Sequence, residues 1–173
     1  ALQRVTFRFI PDAAAQATAL LAGDVDAFPR IGVRSVAQFQ SDPRFQVLIS
    51  GSRVKTILSI NNTRPPLNDV RVRRALAAAI DRQAVITGAA EGFGVPIGSH
   101  YTPNAPGYID TTGLNPFNPE RARQLLQEAG VTLPLKLHMT LPPTPYARQG
   151  GEVIAAQLAQ VGVQVQLINV EWA

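Results

Sequence analysis

Arginine and aromatic side chains are the best candidates for contact with a bound molecule in this sequence. Arg148 lies at the head of a predicted helix, two residues after Tyr146 in the run Pro145-Tyr146-Ala147-Arg148. A guanidinium can donate two parallel hydrogen bonds to a carboxylate, and a helix N-terminus favours bound anions. Tyr146 could stack on a ligand, as could Tyr101, which follows His100 in a long loop. These four residues are therefore candidate ligand contacts, with plain surface positions as the alternative reading.

The sequence contains no strong catalytic motif. Ser99 precedes His100, but a nucleophilic serine needs a base held in hydrogen-bond geometry and a third group that orients the base, which adjacent residues rarely provide. The glycines between residues 92 and 98 are spaced G-x-G-x-x-x-G and follow a predicted helix, whereas a dinucleotide fingerprint follows a strand. Asp24 and Asp26 share one face of a short strand, as solvent-facing pairs commonly do. We expect no catalytic residue, although a small α/β enzyme without a recognisable motif stays open.

Metal and cofactor chemistry also lack a signal. The 173 residues include no cysteine, which excludes disulfides, zinc-thiolate sites and cysteine nucleophiles. The two histidines, His100 and His138, belong to no metal-binding spacing. His138 falls on the polar side of an alternating strand. The sequence therefore predicts neither a bound metal nor a cofactor.

The bulk composition fits a folded domain. Hydrophobic residues make up 46% of the chain and charged residues 16%, and no apolar run reaches the length of a membrane helix. The formal net charge is +4, carried by scattered arginines and not by a basic run. A basic nucleic-acid-binding domain stays open as an alternative. No signal peptide opens the chain and both ends are abrupt, so we expect both to be cuts in a longer protein.

The first 50 residues read as β-α-β-α-β. Alternating apolar residues predict strands at 5–10, 24–28 and 45–49, and helices are predicted from Asp12 to Gly23 and at 35–40. Helical crossovers between strands indicate a parallel or mixed sheet. The Gly51-Ser52 loop is the best domain boundary.

Residues 51–173 predict a second α/β region. Strands are expected at 56–60, 135–141 and 163–167. Helices are expected after Asn68 or Asp69, from Asp81 to Ile86, from Pro119 to Ala129 and from Gln149 to Val161. Between the second and third of these helices, residues 88–118 form a long loop, a length that is usually functional or wrapped over a surface.

Four motifs follow one another along the chain. They are the strand, helix and turn at 4–26, the run from Asn61 through Arg82, the run from Asn118 to Gly130, and residues 157–163 with Val170-Glu171-Trp172. In this order they resemble the bacterial solute-binding protein family 5, the peptide- and nickel-binding receptors of ABC importers. The resemblance covers nearly the whole chain. It implies a type II periplasmic-binding-protein-like α/β fold with mixed β-sheets flanked by helices. Residues 1–50 would be the tail of a first lobe, and residues 51–173 most of a second.

The resemblance also implies a function. Such a receptor captures a peptide or a similar small solute between its lobes outside the cytoplasm, in the periplasm for many members, and docks on an ABC permease. By similarity to dipeptide binders, Arg148 aligns with an arginine that holds the peptide carboxylate. Residues 98–103, which include His100 and Tyr101, resemble a segment that borders the cleft. Any contact with a membrane would be through the permease or a lipid anchor.

Overall fold

A computed structural model describes residues 2–171 of the chain. The chain divides into two compact units, residues 1–50 and residues 51–173. The first unit contains helix α1 (Ala13–Ala22), a short 3₁₀ turn (Val33–Ser35) and helix α2 (Val36–Gln40). Asp12 caps α1 by accepting the Ala15 N–H, and Gly23 ends the helix in the left-handed conformation, as the sequence predicts.

The described part of the second unit contains four α-helices, two strands and a 3₁₀ turn at Thr112–Leu114. In chain order the helices and strands are α3 (Val70–Ala78), α4 (Arg82–Ala90), α5 (Pro119–Glu128), β1 (Leu135–Leu141), α6 (Pro145–Ala159) and β2 (Val163–Asn169). Side chains cap the first three helices at their N-termini: Asp69 for α3, Asp81 for α4 and Asn118 for α5. These caps confirm the helix starts that the polar residues predict.

Strands β1 and β2 pair in parallel, and α6 connects them. Leu135 pairs with Val163 at one end of the ladder, and Leu141 pairs with Asn169 at the other. Helix α6 contacts both strands and also packs against α4, while α3 packs against α5. The buried core of this unit is built from α3, α5, α6 and the strands, with Val72, Leu126, Leu158 and Val163 almost completely enclosed.

The run from Asn61 to Arg82, the most specific of the four motifs, contains arginines that fix backbone turns. Arg71 pairs with Asp69 at 2.6 Å and donates to the carbonyl of Glu128 at 2.7 Å. Arg73 donates to the carbonyls of Leu67 and Asn68. This motif therefore holds the entrance to α3 and the end of α5 in place, which is a structural role.

Four predicted strands are wrong for the residues that the structure describes. The segments at 5–10, 24–28, 45–49 and 56–60 form no β-ladder there, and the one sheet present is two-stranded and parallel. Alternation predicts which side chains would share a face, but a strand also needs a partner whose backbone groups pair with its own. Phe7 and Phe9 are 82% and 93% exposed, so the apolar face of the first segment is not covered.

The predicted start of α6 is also wrong. The sequence predicts a helix from Gln149, whereas the helix begins at Pro145. Proline is well tolerated at the first helical position because that residue's N–H would have no partner within the helix. The consequence is that Tyr146 and Arg148 both belong to the first turn of α6.

Candidate functional site

The first turn of α6 follows the carboxyl end of strand β1. The turn at residues 142–144 connects the two elements, and the N–H groups of Ala147 and Arg148 both donate to the carbonyl of Thr144 at 3.2 Å. The N–H of Tyr146 has no acceptor among the described residues, and Thr144 provides no side-chain cap. This helix start therefore keeps a free donor at the positive end of a 15-residue helix dipole.

Arg148 is exposed and its guanidinium makes no hydrogen bond or ion pair with any residue from 2 to 171. Five other arginines of the unit are engaged by the chain itself, whereas Arg53, Arg64 and Arg74 resemble Arg148 in having no side-chain hydrogen bond or ion pair among the described residues. Ion pairs or backbone carbonyls hold Arg71, Arg73, Arg82, Arg121 and Arg123. The guanidinium of Arg148 is thus available for an anion from outside.

A pocket open to solvent lies beside this guanidinium. It encloses about 330 Å³ and is lined by Pro143, Pro145, Arg148 and Gln149. The two prolines give it rigid apolar walls, and Arg148 and Gln149 give it polar groups. In open parallel α/β sheets, ligands bind beyond the carboxyl ends of the strands, which is where this pocket lies. The pocket can hold a small molecule whose anionic end faces Arg148.

Tyr146 stands next to this pocket in the first turn and is 47% exposed, but it is not among the lining residues. His100 and Tyr101 lie elsewhere in the unit, in the long segment between α4 and α5. Both are exposed, and Tyr101 donates its N–H to the Ser99 hydroxyl at 3.2 Å. Among the described residues, no hydrogen bond joins these two residues to Tyr146 or Arg148. The structure thus places two candidates in one turn of α6 and two in a separate loop.

The loop that carries His100 and Tyr101 is anchored to the unit. Arg82 of α4 donates to the carbonyl of Asn115 at 3.1 Å, and the N–H of Asn118 donates to Ala78 at 2.8 Å. The Asp110 carboxylate accepts hydrogen bonds from the N–H and the hydroxyl of Thr112. These bonds, of which the one from the N–H has the larger effect, lower the pKa of Asp110 below its ordinary value. This segment is therefore an ordered surface loop that presents exposed aromatic residues.

A cluster of metal-ligating side chains and a membrane-spanning helix are both absent from residues 2–171. No group of three or more histidine, aspartate or glutamate side chains between residues 2 and 171 could hold a metal ion. None of the helices in that range combines the length and the apolar character that a membrane span requires.

Comparison with known proteins identifies the family. A family model described as "Bacterial extracellular solute-binding proteins, family 5 Middle" matches residues 1–173. The chain belongs to this family of solute-binding proteins. The match covers all four motifs, including Val170-Glu171-Trp172, of which Trp172 lies outside the described residues.

Relatives within family 5 differ in the ligands that their names state. The chain is 29% identical to the heme-binding protein A of Haemophilus influenzae over 99% of its length and 32% of that protein. It is also 29% identical to the dipeptide-binding protein of Escherichia coli, over 99% of the chain and 33% of that protein. The chain thus spans about a third of the length of these two relatives.

A solved family 5 structure resembles the fold closely. The ABC transporter-associated periplasmic binding protein DppA from Helicobacter pylori, in complex with the peptide STSA, matches with a TM-score of 0.82 and 26% identity. The match covers 95% of this chain and 32% of that one. The expected periplasmic-binding-protein-like α/β fold of type II is confirmed.

Three lining residues of the pocket were not among the sequence candidates. Pro143, Pro145 and Gln149 line it together with Arg148. The sequence signal for these residues is the Pro-Pro-Thr-Pro run, because proline is favoured at the first position of a helix. A helix that begins at Pro145 places Gln149 in its second turn.

Proposed function

We propose that the protein is the solute-binding component of an ABC importer and captures a peptide or a similar small solute by its carboxylate. The observation that carries this proposal is the exposed, unpaired guanidinium of Arg148 at the head of α6, in a chain that belongs to family 5. Capture takes place outside the cytoplasm, and the partner that receives the solute is a membrane permease. Membership of a family of binding proteins supports binding without catalysis.

The chemistry of the α6 start favours a carboxylate. A carboxylate accepts two parallel hydrogen bonds from a guanidinium, and a third acceptor site can receive the free N–H of Tyr146. A hydrogen bond to a charged group contributes about 1.5–3 kcal/mol. The partial positive charge of the helix N-terminus adds to this attraction. Peptides present such a group at their C-terminus.

Aromatic residues supply further contacts in the proposal. Tyr146 is exposed beside the pocket and offers a ring face for stacking. His100 and Tyr101 are exposed on the anchored loop and are proposed to touch the bound solute as well. No cofactor or metal is needed for capture of this kind.

Release of the solute to a permease requires that the receptor has two states. A ligand shifts such an equilibrium only by the difference in its affinity for the two states, so some contacts must form in the closed state alone. In this receptor, residues 1–50 are proposed to form the tail of a first lobe and residues 51–173 most of a second. Residues outside this chain would complete the site.

Native mass spectrometry of the full-length protein, purified without denaturation, tests this proposal. We expect added masses that match short peptides and disappear when the protein is unfolded, or that appear after addition of a peptide mixture. A protein that is bare as purified and gains nothing from the mixture would refute the peptide assignment.

A further inference from the structure

Two adjacent glycines in the second turn of α6, Gly150 and Gly151, are both buried, yet they meet different surroundings. A Cβ atom at Gly150 would lie 3.7 Å from the Ala89 side chain, which is an ordinary van der Waals distance. A Cβ atom at Gly151 would lie 2.9 Å from both terminal methyl groups of Leu141. Of the two, only Gly151 could not become alanine without a shift of Leu141 or of α6.

Burial confines the Leu141 side chain, which is 6% exposed at the last residue of β1. Its backbone is held separately, because the Leu141 carbonyl accepts the N–H of Val170 at 3.1 Å. On the other side of α6, a Cβ atom at Gly88 of α4 would lie 2.9 Å from Val153. The second turn of α6 is therefore held closely between β1 and α4. A helix lifted from β1 cannot shift towards α4 without a new clash.

We propose that Gly151 is a positioning residue for the ligand-binding guanidinium of Arg148. The two residues are three positions apart, so they lie about 4.5 Å apart along the helix axis and on neighbouring parts of the helix surface. The missing Cβ of Gly151 sets the height of the first turn above the carboxyl end of β1. That height fixes how far Arg148 lies from Pro143 across the pocket. The inference rests on the proposed capture of a carboxylate.

The substitution Gly151→Ala tests this assignment, with Gly150→Ala as the matched control. Both changes replace a buried glycine by alanine inside the same helix, so both gain the same helix propensity. We expect a crystal structure of the Gly151→Ala variant to show the first turn of α6 displaced from β1, and that of Gly150→Ala to show it in place. An undisplaced first turn in the Gly151→Ala variant, with Leu141 simply rotated aside, would overturn the proposal whatever the ligand is.

A binding measurement connects the geometry to function. The probes are a tripeptide mixture with free C-termini and the same mixture as C-terminal amides. We expect Gly151→Ala to reduce the preference for the free acid at least tenfold and Gly150→Ala to leave this preference unchanged. The double variant that combines Gly151→Ala with Leu141→Ala should recover most of the preference. A general loss of stability would weaken binding of acid and amide alike. A wild-type protein without any acid preference would refute the carboxylate contact at Arg148, whereas an intact preference in Gly151→Ala would refute the positioning role.

Discussion

Asp81 and Gln157 exchange two hydrogen bonds across 76 positions of the chain. The N–H of Asp81 donates to the Gln157 side-chain oxygen at 3.0 Å, and the Gln157 amide nitrogen donates back to the Asp81 carbonyl at 3.4 Å. Asp81 is also the N-cap of α4, and Gln157 lies in α6. Both belong to the motifs that carry the family resemblance. The pair therefore ties the start of α4 to the helix that carries Arg148.

Removal of the Gln157 side chain tests this connection. We expect Gln157→Ala to lower the free energy of unfolding by about 1–3 kcal/mol, because it leaves the partly buried N–H of Asp81 without a partner, while the Asp81 carbonyl keeps the N–H of Val85. Urea unfolding at neutral pH measures the effect. The control is Gln160→Ala, whose exposed side chain has no partner among the described residues. Equal stabilities of the two variants would show that the pair contributes nothing.

We expect the free energy of unfolding to depend on pH through the Asp69 carboxylate. The Arg71 guanidinium and the Arg71 N–H both donate hydrogen bonds to this carboxylate, and they lower the pKa of Asp69 below its ordinary value. The guanidinium has the larger effect. A lowered pKa in the folded state stabilises the fold above the pKa of the unfolded chain, about 3.9, and this stabilisation is lost as the pH falls through the folded value.

The variant Asp69→Asn separates charge from capping. Asparagine keeps the cap but not the ion pair, so we expect it to be less stable than wild type at pH 7 and equal to it below the folded pKa. Asp69→Ala also loses the cap, so we expect it to be less stable than Asp69→Asn at every pH. Urea unfolding between pH 7 and pH 2 checks both. A constant gap between wild type and Asp69→Asn over this range would contradict the assigned role of the charge.

Close packing at Gly98 predicts that the loop with His100 and Tyr101 tolerates no side chain there. A Cβ atom at Gly98 would lie 2.6 Å from the backbone nitrogen of Thr112, whereas one at Gly113 would meet nothing within 4 Å. We expect Gly98→Ala to cost about 1–3 kcal/mol by overpacking and Gly113→Ala to cost much less. Hydrogen exchange of residues 98–112 measures the loosening. Unchanged protection in Gly98→Ala would show that the loop adapts freely.

The sequence predicts helices well here because their signals are local. Asp12, Asp81 and Asn118 cap the helices they were expected to cap, and the strand at 135–141 is confirmed at its exact bounds. The four unpaired segments fail for a nonlocal reason: a β-ladder depends on a partner that alternation alone cannot identify.

The candidate site shows the same division between local and nonlocal information. Residue chemistry selects Arg148, since a guanidinium next to a helix start is visible in the sequence. The pocket beside it depends on Pro143 and Gln149, whose proximity follows from the helix start at Pro145. The tight contact between Gly151 and Leu141 joins a helix to a strand end and has no sequence signal beyond a pair of glycines.

In the proposed mode of capture, Arg148 binds the carboxylate of the solute. The most direct measurement is calorimetric titration of the full-length protein with a peptide that it binds and with the C-terminal amide of that peptide. We expect wild type and the exposed control variant Arg74→Ala to prefer the free acid by about 10- to 100-fold, as a charged hydrogen bond of 1.5–3 kcal/mol implies. Arg148→Ala should lose most of this preference and keep only the part that the Tyr146 N–H and the helix N-terminus provide. An acid preference in Arg148→Ala as large as that of wild type would show that Arg148 does not bind the carboxylate.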